Sequence, residues 1–225
     1  MKIAHVIAVG VLLGCMPASL YATPIAVTGS ATLIAAPPDV RVNIGLESDT
    51  LTPTFTEVQD FILPAALTVN ITTPRTYASV ASLTPGAIAA GTLVDSYYMH
   101  SDPIGATATL RSYAGSITFD TDILGVIVFD AGFAGSNGIV GHSGTLYSAA
   151  GQGLELGGPD IVTLLIFNRT LTYSFGANTA ADDLRIITAG TSARAVPEPS
   201  SLLLIGSGLA GASVRRWWIR RMKQS

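Results

Sequence analysis

Cysteine occurs once in 225 residues, and charged side chains make up only 12% of the chain. The lone Cys15 excludes a disulfide framework, a cysteine zinc finger and a CxxC redox pair. Histidine is limited to His5, His100 and His142, too few for a three-histidine zinc centre outside the N-terminal segment. Lysine is missing from residues 23–195, where six arginines face fourteen acids, a formal charge of −8. Such a segment offers no basic patch, which argues against nucleic acid as a partner and against electrostatic docking on anionic lipid or polysaccharide. Low charge joined to 48% hydrophobic residues is the reverse of a disordered composition. Internal repeats are also lacking, so a solenoid or propeller is not expected.

What is present is concentrated first at the two ends. Residues 1–22 read as a secretory signal peptide: Lys2, the apolar stretch Ile3–Leu13, then small and polar residues up to Ala22. Cleavage after Ala22 would discard Cys15. Leu12-Leu13-Gly14-Cys15 reads alternatively as a lipoprotein box, with Leu13 where a smaller residue is usual. At the other end, Val196-Pro197-Glu198-Pro199 precedes the apolar, glycine-rich run Ser201–Val214. Arg215, Arg216, Trp217, Trp218, Ile219, Arg220, Arg221, Met222 and Lys223 follow. The two prolines stop any helix arriving from upstream. A helix over residues 200–219, at about 1.5 Å per residue, would span about 30 Å and cross a bilayer. Arginines at its end can snorkel, tryptophans favour the interface, and the basic residues place the C-terminus on the cytoplasmic side.

This order resembles the PEP-CTERM sorting signal of Gram-negative bacteria, which is read by an exosortase, a membrane transpeptidase-like enzyme. The resemblance implies that Val196, Pro197, Glu198 and Pro199 form the sorting motif and Leu202–Val214 the helix. Arg215, Arg216, Arg220, Arg221 and Lys223 would form its basic flank, from which the insertion Trp217–Ile219 departs. It further implies export through the inner membrane, transient anchoring by a C-terminal transmembrane helix, and exosortase as processing partner. The implied destination is the cell surface or the exopolysaccharide matrix. A generic single-span anchor is the alternative. Gly206-Ser207-Gly208-Leu209-Ala210-Gly211 fits GxGxxG, but no βαβ unit surrounds it, so it is read as part of the membrane segment.

Residues 23–195 between these signals carry a period-2 pattern. Val40, Val42, Ile44 and Leu46 alternate with polar or small residues and predict a half-buried strand. Further strands are expected at 54–63, 66–72, 93–99, 106–113, 116–119, 124–129, 161–167, 170–175 and 184–188. Short helical turns are expected near 136–140 or 178–183. About ten short strands punctuated by Gly and Pro predict a mainly β fold, an antiparallel β-sandwich of jelly-roll type. Several stretches, among them Glu47-Ser48-Asp49-Thr50, Asp95-Ser96-Tyr97-Tyr98 and Asp120-Thr121-Asp122, are similar to a recurrent domain of other proteins bearing this tail. That resemblance implies an exported β domain and no particular activity.

Candidate chemistry is sparse. Asp120 and Asp122, two apart, would share one strand face and, with Asp95, Asp102, Asp130 or the Asp182-Asp183 pair, could make an oxygen-rich Ca2+ site. Carboxylates that cap turns are the plainer reading. Tyr97 and Tyr98 could stack on sugar rings in a lectin-like, Ca2+-assisted carbohydrate-binding domain, or pack in the core. Glu47, Glu57 and Glu155 are the only glutamates of the segment, and a glycoside-acting enzyme would need two of them across a cleft. His142 and Ser143 are adjacent, so on a strand they would face opposite ways and form no nucleophile–base pair. No GxSxG elbow occurs in the segment. The expectation is therefore a non-catalytic structural or adhesive domain, with no cofactor beyond Ca2+.

Overall fold

The computed structural model describes residues 24–105, 108–165 and 169–191, all within one compact unit, Tyr21–Ser192. Its strands run β1 (Pro24–Gly29), β2 (Ala31–Leu33), β3 (Asp39–Val40), β4 (Thr52–Ile62), β5 (Leu67–Val69), β6 (Thr76–Tyr77) and β7 (Gly86–Ile88). They continue as β8 (Leu93–Ser101), β9 (Arg111–Phe119) and β10 (Ile123–Ile127). After helix α1 (Asp130–Val140) come β11 (Leu146–Tyr147), β12 (Ile161–Leu164), β13 (Thr170–Ala177) and β14 (Asp182–Ala189). The expected transmembrane helix and signal peptide lie outside the described residues. Within these, no helix is long and apolar enough to cross a membrane.

Two five-stranded sheets carry the fold. The first has the order β1-β9-β13-β12-β6 and the second β10-β14-β8-β4-β2. Their pairings are antiparallel except for the β2–β4 edge. The central pairs are nested in sequence. β8 pairs with β14 from Ser101↔Asp182 to Val94↔Ala189, and β9 pairs with β13 from Arg111↔Ala177 to Thr118↔Thr170. Tyr113, Ile117, Phe119, Leu171 and Phe175 of the first sheet share one apolar cluster with Tyr97, Met99, Leu184 and Ile186 of the second. The sheets therefore pack face to face, and burial of these alternate side chains supplies the dominant favourable energy of the layer.

The second sheet is buried on both sides. Its reverse face presents Phe55, Val94, Tyr98, Ile127 and Ile187 to a second cluster with Val40, Leu67, Ile88, Phe133 and Val140. The cover consists of α1 and two short strand pairs, β5 with β7 and β3 with β11. β8 and β14 accordingly show almost continuous burial, whereas β9 and β13 retain much of the alternation expected of a half-exposed sheet.

Helix α1 is longer than the expected turn near 136–140 and holds despite Gly132, Gly135 and Gly138. Phe133, Ser136 and Val140 form its buried stripe. Asp130 lies in the first turn, where a negative charge suits the helix dipole, and its carboxylate accepts the Gly151 and Gln152 amides, both at 3.0 Å. Gly132 packs so closely on Ile127 that an added Cβ would come within 2.5 Å of its methyl group.

Three expectations are corrected. The strand predicted from Val40 to Leu46 stops at Val40, because Asp39 and Arg41 pair locally and Asn43 takes the left-handed conformation (φ 57°). Arg41 carbonyl then accepts the Ile44 and Gly45 amides and closes a turn. The strands predicted at 106–113 and 116–119 are one strand, β9. Gly115 interrupts the pattern because β1 crosses there: an added Cβ would lie 2.2 Å from Thr28 oxygen. The segment 178–183 is no helical turn but the approach to β14, which opens at Asp182.

Candidate functional site

Charged and hydrogen-bonding side chains gather inside the covered face of the second sheet. A bulge in β4 lets Thr56 oppose Tyr97 and Val58 oppose Ser96, and the extra residue, Glu57, turns its carboxylate inward. Arg185 of β14 meets it in a two-pronged pair: Nε donates to Oε2 and Nη2 to Oε1, both at 2.7 Å, with both side chains fully buried. Ser96 and Tyr147 hydroxyls donate to Oε2 and Oε1 of Glu57 at 2.6 and 2.7 Å. The remaining Arg185 donors reach Ser136 Oγ and Asn137 Oδ1 on α1. Its guanidinium also lies 5.2, 5.4 and 5.8 Å from the ring centres of Tyr98, Tyr147 and Phe133.

The network continues along the sheet. Tyr98 hydroxyl donates to Asp183 Oδ2 at 2.6 Å, with Gln152 Oε1 2.9 Å away. Asp183 Oδ1 meets His100 Nδ1 at 2.8 Å, and Asp102 lies 3.8 Å beyond Nε2. Burial pulls the His100 imidazole down, but the Asp183 and Asp102 carboxylates outweigh it and hold the ring above its ordinary value. Burial, with the Asp183 charge, drives the Tyr98 phenol well up. The network is buried at Glu57, Arg185, Tyr98, His100 and Asp183 and half-buried at Tyr147 and Asn137, with His100 Nε2 and Asp102 Oδ1 left without a hydrogen-bond partner. It ties helix to sheet through the Arg185 bonds to Ser136 and Asn137.

A second cluster has a different character. Glu155 and Asp160 bound the turn that leads into β12, and Asp182 opens β14. One oxygen of each carboxylate lies within 4.8 Å of the others. Asp160 Oδ2 accepts the Glu155 amide at 2.6 Å and Oδ1 the Gly176 amide at 3.0 Å, which fixes its position. Asp160 and Asp182 are buried and Glu155 is exposed. Burial, then the Asp160, Glu155 and Asp183 charges, push Asp182 up to about 9. Partial burial and Asp160 push Glu155 up as well. Among the described residues this trio is the acidic group with the spacing of a metal site. Asp182 follows Asp160 by 22 residues and Glu155 by 27, across β13, so no local motif marked the trio.

The residues singled out from sequence fall elsewhere. Asp120 and Asp122 are both exposed beside the β9–β10 turn, and Asp122 pairs with Arg169 at 2.8 Å. Tyr97 and Tyr98 are each 0% exposed and point to opposite faces of β8. Tyr97 packs against Phe119 and Tyr98 against Phe55, Phe133 and Tyr147. Neither can present a ring to a sugar at the surface, so of the two readings of these positions the structure has core packing and not the stacking platform. Glu57 is committed to Arg185, and Glu47 accepts the Gly105 amide at 2.9 Å. His142 is tied into its own turn through Thr145 and Gly144.

The sorting residues Val196, Pro197, Glu198 and Pro199 and the basic flank Arg215, Arg216, Arg220, Arg221 and Lys223 lie outside the described residues. No curated protein and no solved structure matches the chain. Residues 195–221, however, match the family model of the PEP-CTERM protein-sorting motif. That signal directs export, transient membrane anchoring at the C-terminus and processing by an exosortase. The chain therefore carries, after its mainly β domain, the PEP-CTERM sorting signal of an exosortase-targeted exported protein.

Proposed function

We propose that the β domain is a non-catalytic structural or adhesive module, delivered by its sorting signal to the cell surface or exopolysaccharide matrix. One observation carries this reading: the side chains best suited to chemistry are spent inside the fold. Glu57 is locked to Arg185, and His100 to Asp183, with both partners fully buried in each pair. A catalytic acid or base must reach a substrate, and these cannot. Polar groups so placed fix one packing of helix on sheet, which suits a load-bearing module. The nested pairing of β8 with β14 and β9 with β13 supports a jelly-roll-like sandwich as its scaffold.

The test is fractionation of cells with and without exosortase. With the enzyme, a shortened chain is expected in the surface or matrix fraction. Without it, or with Pro197→Ala or Glu198→Ala, a longer chain should stay with the membrane. Equal size and equal release in all these strains would overturn the delivery route. Glycoside hydrolysis by the purified chain that is lost in Glu47→Gln or Glu155→Gln would overturn the non-catalytic assignment.

A further inference from the structure

Glu155, Asp160 and Asp182 stand apart from every arginine of the described domain. Arg41 pairs with Asp39, Arg111 with Asp49, Arg169 with Asp122 and Arg185 with Glu57, while Arg75 lies over the Tyr77 ring. Lysine does not occur between residues 23 and 195. Three carboxylates therefore converge with no side-chain cation to balance them, and like charges at this spacing repel. Asp182 is only 1% exposed, and its Oδ2 meets no hydrogen-bond donor. A buried carboxylate oxygen without a partner is costly unless something satisfies it.

The donor set is oxygen throughout, with no imidazole or thiolate, which selects a hard cation. Calcium takes about six to eight oxygens in flexible geometry, so turn carbonyls and water can complete the shell. Magnesium demands a stricter octahedron. Exposed Glu155 leaves a way in from solvent.

We propose that Glu155, Asp160 and Asp182 bind a Ca2+ ion that staples the two sheets together at this end of the domain. Asp160 sits at the entry to β12 and holds β13 through the Gly176 amide, both in the first sheet, while Asp182 begins β14 in the second. A cation shared by these side chains adds an ionic link between layers that also share the apolar cluster and the Ser30 hydrogen bonds to Thr52 and Tyr173. The proposal goes beyond the structural reading and does not depend on where the protein is delivered.

The full chain, stripped with EDTA and dialysed, is titrated with CaCl2 while thermal unfolding and binding heat are followed. Ligand at about 100 times its Kd is expected to raise Tm by about 5–10 °C. Asp182→Asn keeps the shape but removes a charged ligand, and should abolish that rise. Glu155→Gln, at an exposed position, should weaken Ca2+ binding at least about tenfold, and keeps the test decisive if Asp182→Asn does not fold. Absence of both Tm shift and heat up to about 10 mM, above the weak range of extracellular calcium modules, would overturn the site. So would a wild-type calcium response in Asp182→Asn. An equal response to MgCl2 would overturn the calcium assignment.

Discussion

Arg185 shows how this domain handles charge one residue at a time. Its guanidinium is fully buried, faces the Glu57 carboxylate on two prongs and is flanked by three aromatic rings. Desolvating such a pair costs several kcal/mol per ion, so its net stabilisation is small, but removing one partner strands the other. Glu57→Gln is therefore expected to destabilise the fold by about 3–5 kcal/mol, read as a lowered midpoint in urea. The double variant Glu57→Met with Arg185→Met should lose less than the two single losses added together. A strictly additive pair would show that the charges are not coupled.

At the scale of elements, glycine spacing decides which strands can touch. Gly115 lies where β1 crosses β9, with Thr28 oxygen 2.2 Å from any added Cβ. Gly115→Ala is expected to push β1 off the sheet edge, costing about 1–3 kcal/mol and speeding hydrogen exchange of the β1 amides. Gly135 of α1 is the opposite case, since an added Cβ there meets nothing within 4 Å. Gly135→Ala should stabilise the helix by about 0.5–1 kcal/mol through propensity alone. Equal effects from the two changes would mean that packing does not govern either position.

Considered whole, the described domain is acidic and buries part of that acidity. Burial pushes Asp95 up to about 6 from 3.8; the neighbouring Asp60 amide opposes this, and the Asp60 and Asp120 charges add to it. Burial likewise raises Asp102, and His100 is raised by the carboxylates around it. In each case the folded state holds a proton more tightly than the unfolded chain, so all three work in one direction. For Asp95 this stability is full below about pH 4 and lost as pH rises to about 6. For His100 it is present below about 6.5 and lost as pH rises through the higher folded value. Without divalent cations, Tm is therefore expected to fall from about pH 5 to pH 8, and Asp95→Asn should flatten the part between pH 4 and 6. A Tm that rises across that range would contradict the assignment of these groups.

The sequence by itself determined the address and the class of fold. A sorting signal is linear: prolines, an apolar run and basic residues act in chain order, so Val196–Pro199 and the tail were legible without tertiary structure. Most of β4, β8, β10, β13 and β14 was legible too, because runs of strand-forming residues bounded by turn signals are a local property. What period alone could not give was the layer on the reverse of the second sheet, since near-continuous burial in β8 and β14 erases the alternation. Nor could it bring Glu57 to Arg185 across 128 residues, or gather Glu155, Asp160 and Asp182. Those meetings depend on strand register and sheet order, which are set by packing the whole chain. The tertiary structure thus decided that Tyr97 and Tyr98 are core and that the acidic convergence lies away from Asp120 and Asp122. The physical reason is that a side chain's charge and shape are written locally, while its partner is chosen by the fold.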